Sequence, residues 1–104
     1  MEDEPRLTVV TMLFDAADPA GLAAVLAKYV VLTRMEPGCR NVDLCASVTK
    51  PSRLVIVQKW ESPEAQQGHF DSPTMVDMAH ACRHLLTGPP EIDLLEPISA
   101  HDLR

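Results

Sequence analysis

Glycine is scarce in this chain of 104 residues, and its four glycines, Gly21, Gly38, Gly68 and Gly88, are scattered. No glycine-rich loop is available to cradle a phosphate, so nucleotide and flavin fingerprints are excluded. Basic runs are missing too. The net charge is −6, with no cluster of Lys or Arg, which argues against nucleic acid and anionic membrane surfaces as partners. No apolar stretch approaches the ~20 residues that a bilayer span needs. The opening MEDEPR is acidic where a secretory signal would be basic, and a cytoplasmic location is expected. Cysteine is limited to Cys39, Cys45 and Cys82, an odd count without metal or redox spacing. Cys39 and Cys45 would lie roughly 20 Å apart along one strand, beyond the reach of a bridge. All three read as small, buried apolar residues with free thiols, which fits a reducing compartment. No Ser or Cys sits in a nucleophile elbow and no close pair of carboxylates suggests glycosidase chemistry, so hydrolase readings fall away.

What is present is a normal globular balance, 46% hydrophobic and 23% charged, in a length that supports one core. The expected organisation is a single domain over residues 1–104, with its core at about 7–98 and a tail at 99–104. Leu7 to Phe14 is an apolar run that predicts a strand covered on both faces. Asp18-Pro19 supplies an N-cap and a first-turn proline, and Leu22, Val25, Leu26, Tyr29, Val30 and Thr33 recur at helical spacing until Pro37-Gly38. Asn41 to Val48 alternates as a strand, and Thr49 to Ser52 turns the chain into a third strand over Arg53 to Glu61. Ser62-Pro63-Glu64 opens a short helix to Phe70, and Asp71-Ser72-Pro73 starts another. In the latter, Met75, Met78, Ala79, Cys82, Leu85 and Leu86 form an apolar stripe expected to dock on the sheet. Glu91 to Pro97 reads as a fourth strand.

The order β-α-β-β-α-β is that of a ferredoxin-like α+β fold, a four-stranded antiparallel sheet with its helices on one face. Right-handed crossovers place the helices together, so the other face is bare. The first and third strands are apolar on both sides, with Leu7, Val9 and Leu13 opposite Val10, Met12 and Phe14, and Leu54 and Ile56 opposite Val55 and Val57, so the bare face is apolar too. A homodimer joined through the open sheet face is expected, because a monomer would expose this patch to water.

The segments EPGCRNVDL (Glu36 to Leu44), KPSRLVIVQKWES (Lys50 to Ser62), HFDSP (His69 to Pro73) and LLTGPPEIDLLEPIS (Leu85 to Ser99) together resemble the antibiotic biosynthesis monooxygenase domain family of dimeric α+β barrels. The resemblance implies a small cavity between sheet and helices in each subunit, binding a small apolar or aromatic ligand. It also implies an activity that ranges, among members, from cofactor-free oxygenation of quinols and aromatic polyketides to haem degradation and isomerisation. Fold alone does not choose among these.

Candidate site residues follow from the third strand and what comes after it. Trp60 shares a strand face with Ile56 and Gln58, the face that the resemblance turns toward the cavity, and it is expected as a wall as well as a packing group. His69 is the candidate base for a phenol or enol, the alternative being an exposed loop histidine. Tyr29 and Asp43 are candidate helpers, Tyr29 with a place in the substrate pocket. His80, His84 and Asp77 share one helix side, but it is the face opposite the apolar stripe, so a solvated face is expected and no metal site. Haem-degrading members carry an asparagine in the first strand, which LTVVTML lacks. Certain pathway oxygenases carry one four residues before the strand-end tryptophan, and Ile56 stands there. The expected function is cofactor-independent oxygenation of a small aromatic, quinol or polyketide-type substrate, with no bound cofactor. The competing reading is a non-catalytic ligand-binding dimer, and a group with a shifted pKa in the pocket separates the two.

Overall fold

The computed structural model describes residues 6–100. Seven elements follow in the order β1 (Thr8–Asp15), α1 (Pro19–Arg34), β2 (Cys39–Ala46), β3 (Arg53–Trp60), α2 (Pro63–Phe70), α3 (Pro73–Cys82) and β4 (Glu91–Leu95). The strands form one antiparallel sheet in the order β2-β3-β1-β4, as the ferredoxin-like arrangement requires.

Each helix begins where the sequence supplies a cap. The side chains of Asp18, Ser62 and Ser72 accept hydrogen bonds from the backbone N–H groups of Gly21, Ala65 and Met75, and a proline follows each cap. The core forms where one face of β1 (Val10, Met12, Phe14) and one face of β3 (Ile56, Gln58, Trp60) meet the inner stripe of α1, chiefly Leu22, Leu26, Tyr29 and Val30. The opposite face is half-buried at Val9, Thr11, Leu13, Val55 and Val57.

Several sequence expectations shift. β2 starts and ends two residues early, because an irregularity between Cys39 and Asn41 resets its register against β3, and Val48 lies outside it, fully exposed. β4 stops at Leu95 and α3 at Cys82, short of the glycine-proline stop. Leu85 and Leu86 turn back instead: the Leu85 carbonyl accepts from Ala17 N–H at 2.8 Å, and Leu86 bridges to Ala16. Of the α3 stripe, Met78 and Cys82 are buried but Ala79 is exposed, since α3 packs chiefly on α1 rather than flat on the sheet. Only Cys82 among the cysteines is buried. Cys39 is half-buried and Cys45 is exposed, because the strand alternation turns Cys45 to the open face opposite Val55. The end of the tail, residues 101–104, lies outside the described residues.

Gly38 joins α1 to β2 with φ of +84°, and a Cβ there would lie 2.6 Å from the Cβ of Ala65 in α2. Its carbonyl accepts from Glu61 N–H at 2.8 Å. Backbone strain and overpacking therefore act at the same point. Gly38→Ala is expected to lower stability by about 2–4 kcal/mol in urea unfolding, and a loss under about 0.5 kcal/mol would show that the α2 contact is not tight.

Candidate functional site

Four residues singled out in the sequence, Tyr29, Gln58, Trp60 and His69, converge in the core although α1, β3 and α2 supply them separately. Strand alternation aims Gln58 and Trp60 inward together. The last turn of α2 carries His69 over the end of β3, where its ring stacks on the Trp60 indole at 4.7 Å between centroids and 28° between planes. His69 is 2% exposed, so the exposed-loop alternative is overturned: it lies within a capped helix whose buried face it forms with Gln66.

The hydrogen bonds run in one direction. Trp60 Nε1–H donates to Gln58 Oε1 at 2.9 Å, and Gln58 Nε2 donates to Tyr29 Oη at 2.6 Å. Tyr29 Oη lies 2.6 Å from His69 Nε2, and His69 Nδ1 lies 2.7 Å from Glu36 Oε1. Proton positions follow from elimination. An indole N–H only donates, so the carbonyl end of Gln58 must face Trp60 and its amide end must face Tyr29. The Tyr29 oxygen is then an acceptor toward Gln58, and the nearest acceptor for its own hydrogen is His69 Nε2 at 2.6 Å, ahead of the Met75 and Met12 thioethers. With a neutral imidazole, His69 Nε2 accepts that hydrogen and Nδ1–H donates to the Glu36 carboxylate. The result is a relay Trp60→Gln58→Tyr29→His69→Glu36.

Burial pushes the Tyr29 phenol up to about 12, against the lowering effect of the Gln58 hydrogen bond, and the nearby Glu36 charge adds to the rise. Two thioethers complete the surroundings of the hydroxyl: Met75 Sδ at 3.6 Å and Met12 Sδ at 4.0 Å. Met75 is only half-buried.

Glu36 was not among the sequence candidates, although a signal was available. It follows Tyr29 by seven residues, two helical turns, which keeps it on the same side although α1 ends at Arg34. The N–H of Glu36 donates to the Thr33 carbonyl at 3.0 Å, prolonging the helical path. Asp43 is corrected as a helper: it lies exposed on β2 and accepts from Asn41 Nδ2 at 3.0 Å. Ile56 is fully buried in the core beside the relay, as are Gln58 and Trp60, so the face expected to line a cavity is closed by its own side chains. A cleft of about 320 Å³ instead opens between α1 and α3, walled by Val25, Leu32, Met78 and part of Tyr29. The tyrosine hydroxyl is turned away from it, toward Met12 and Gln58 on the sheet. Asp77, His80 and His84 are exposed.

A ferredoxin-like domain with a buried histidine relay beneath its helices is the class that fold and site define. The chain belongs to the antibiotic biosynthesis monooxygenase family, whose sequence model matches residues 8–81. Rv0793 from Mycobacterium tuberculosis is 32% identical over 79 residues, covering 76% of this chain and 77% of that protein. Its solved structure superposes with a TM-score of 0.82 at 29% identity, over 90% of this chain and 97% of that one. Two further structures share the fold. NE2512 from Nitrosomonas europaea has a TM-score of 0.85 at 19% identity, covering 98% of this chain and 99% of its own. SnoaB, a cofactor-independent oxygenase from Streptomyces nogalater, has a TM-score of 0.78 at 21% identity, covering 93% and 97%.

The single tyrosine of the chain makes its ionisation directly readable. Below pH 10 the folded and unfolded phenols both hold their proton, and between about 10 and 12 only the folded one does. Stability is therefore expected to fall by about 2–3 kcal/mol as pH rises through that window. Phenolate absorbance of the native protein should show a midpoint near 12, and one near 10 would overturn the buried hydroxyl.

Proposed function

We propose that the protein is a cofactor-independent monooxygenase that deprotonates a small phenol, quinol or enol and lets the resulting anion react with dioxygen. The observation that carries this reading is the relay itself. A buried chain of polar groups weakens an otherwise apolar core unless every member is satisfied, and an acid with a strongly raised pKa at its centre marks a site of proton chemistry.

The Tyr29 oxygen accepts from Gln58, and its hydroxyl lies within donating reach of His69 Nε2 at 2.6 Å and of the Met75 thioether at 3.6 Å. A ligand hydroxyl that displaces this flexible side chain would donate to Tyr29 while Tyr29 hands its own proton to His69 Nε2. The imidazolium so formed is stabilised by the Glu36 carboxylate at Nδ1. His69 thus acts as base through Tyr29, Trp60 fixes its ring plane, and Gln58 orients the tyrosine hydroxyl. At a methylene position of the substrate, one oxygen atom becomes a carbonyl and the other leaves as water. The substrate itself supplies all four electrons, so the reaction requires no reductant. In support, SnoaB, which shares the fold, is a cofactor-independent oxygenase.

The working unit in this reading is a homodimer, in the cytoplasm, with the sheets face to face. Val9, Leu13, Val55 and Val57 form the apolar centre of the open face, and Asn41, Asp43, Glu91 and Asp93 form its polar rim. An apolar centre within a polar rim is the composition of a specific interface. Val57→Glu is expected to yield monomers in sedimentation equilibrium, and an unchanged mass would move the interface elsewhere.

Oxygen uptake with a panel of quinols and anthrone-like phenols, with metals chelated, tests the chemistry. His69→Ala is expected to lower kcat by at least ~100-fold while the dimer persists, and Tyr29→Phe to lower it comparably, since it removes the only route to His69. Undiminished turnover in His69→Ala would remove the proposed base.

A further inference from the structure

Only two residues of α1 carry charge, Lys28 and Arg34. Arg34 is engaged within the chain, donating through Nε and Nη2 to the Val42 carbonyl at 3.1 and 2.9 Å. The side of α1 turned away from the core is therefore apolar except at Lys28. Ala20, Ala24 and Ala27 occupy its N-terminal half, and Val31, Leu32 and Met35, the last at the C-cap, occupy its C-terminal half. All six are exposed, Val31 at 56% and Met35 at 70%. A helix that is apolar all round belongs in an interior, and here one side of it is left uncovered. The cleft between α1 and α3 borders this side, sharing Ala24, Lys28 and Leu32 with it, and Asp77 stands on the α3 bank. Among the described residues, neither Lys28 nor Asp77 is engaged in a hydrogen bond or an ion pair.

We propose that a second copy of this chain docks here, with α1 lying antiparallel on its own counterpart about a two-fold axis between Ala27 and Lys28. Size and charge both select a second copy. The stripe is small at one end and large at the other, and the antiparallel register sets Val31 and Met35 of each copy over Ala24 and Ala20 of the other. A parallel pairing would crowd the large ends together and leave a gap at the small ones. Each copy brings one unpaired ammonium and one unpaired carboxylate to the same cleft. The two-fold rotation turns Lys28 of each copy toward Asp77 of the other, which makes the patch self-complementary in charge. A membrane surface offers no such match, and the net charge of −6 opposes one that is anionic. The helices and the open sheet face lie on opposite sides of the domain, so this pairing is compatible with the sheet-face dimer and joins two such dimers into a tetramer. It also covers the cleft that part of Tyr29 walls. One helix face per copy is a contact at the small end of specific interfaces, so pairing sets in at high concentration, with a Kd of about 100 µM.

Sedimentation equilibrium of Val57→Glu, whose sheet face is disabled, isolates the helix face. This variant is expected to be monomeric near about 10 µM and to double in mass toward about 1 mM. Lys28→Asp and Asp77→Lys, each added to it, place like charges across the axis. Each alone is expected to weaken pairing at least ~10-fold, and an equal mixture of the two is expected to pair again. No doubling by about 1 mM overturns the proposal and leaves the sheet-face dimer of the native chain untouched. Doubling that persists in either charge variant alone also overturns it, as does flotation with phosphatidylcholine vesicles in place of self-association, which would assign the face to a membrane. If Val57→Glu is already dimeric near about 10 µM, the sheet-face reading fails, and the same charge variants decide whether the helix face holds that dimer.

Discussion

The indole of Trp60 can donate a hydrogen bond and cannot accept one, and the polarity of the whole interior site depends on that asymmetry. It fixes which end of the Gln58 amide faces Tyr29, hence which way the tyrosine hydroxyl points, and hence which nitrogen of His69 is bare. A histidine in the same position with an acceptor in place of Trp60 would be free to adopt the other tautomer. The arrangement also explains why a domain of this size tolerates so much buried polarity. Each relay member satisfies the next, and the chain ends at Glu36, the one member that is partly open to water.

The fold was largely legible because its signals are local and repeated. Three Ser or Asp caps directly followed by proline marked three helix starts, and the apolar, β-branched run within Arg53 to Glu61 marked the strand that carries the site. What blurred was the endings. The β2 irregularity at Cys39 and the early close of α3 at Cys82 depend on pairing with distant segments, β3 in one case and the Ala16–Leu86 bridge in the other. No window of sequence contains both partners. The exposure of Cys45 illustrates the same limit: a small apolar residue on an alternating strand is inside or outside according to register alone.

The site was legible as a roster and not as a circuit. Tyr29, Gln58, Trp60 and His69 each stand out by residue type, but they are separated by up to 40 positions, and only the packing of α2 over β3 links them. Glu36 sits in a loop by every local criterion, and its role comes from the helical path it prolongs. Gln66 is quieter still. A glutamine in a polar octapeptide helix reads as surface until that helix is seen to turn it inward with His69.

Stacking of the Trp60 indole on the His69 imidazole, described above as a way of fixing the ring plane, has an optical side. A protonated imidazole quenches indole emission at contact distance, and this chain has a single tryptophan. The fluorophore and the imidazole are thus in van der Waals contact, with no second indole to dilute the signal. The protein carries an intrinsic gauge of the charge on its own histidine, and in the proposed reaction a proton arriving at that ring is expected to change the indole emission.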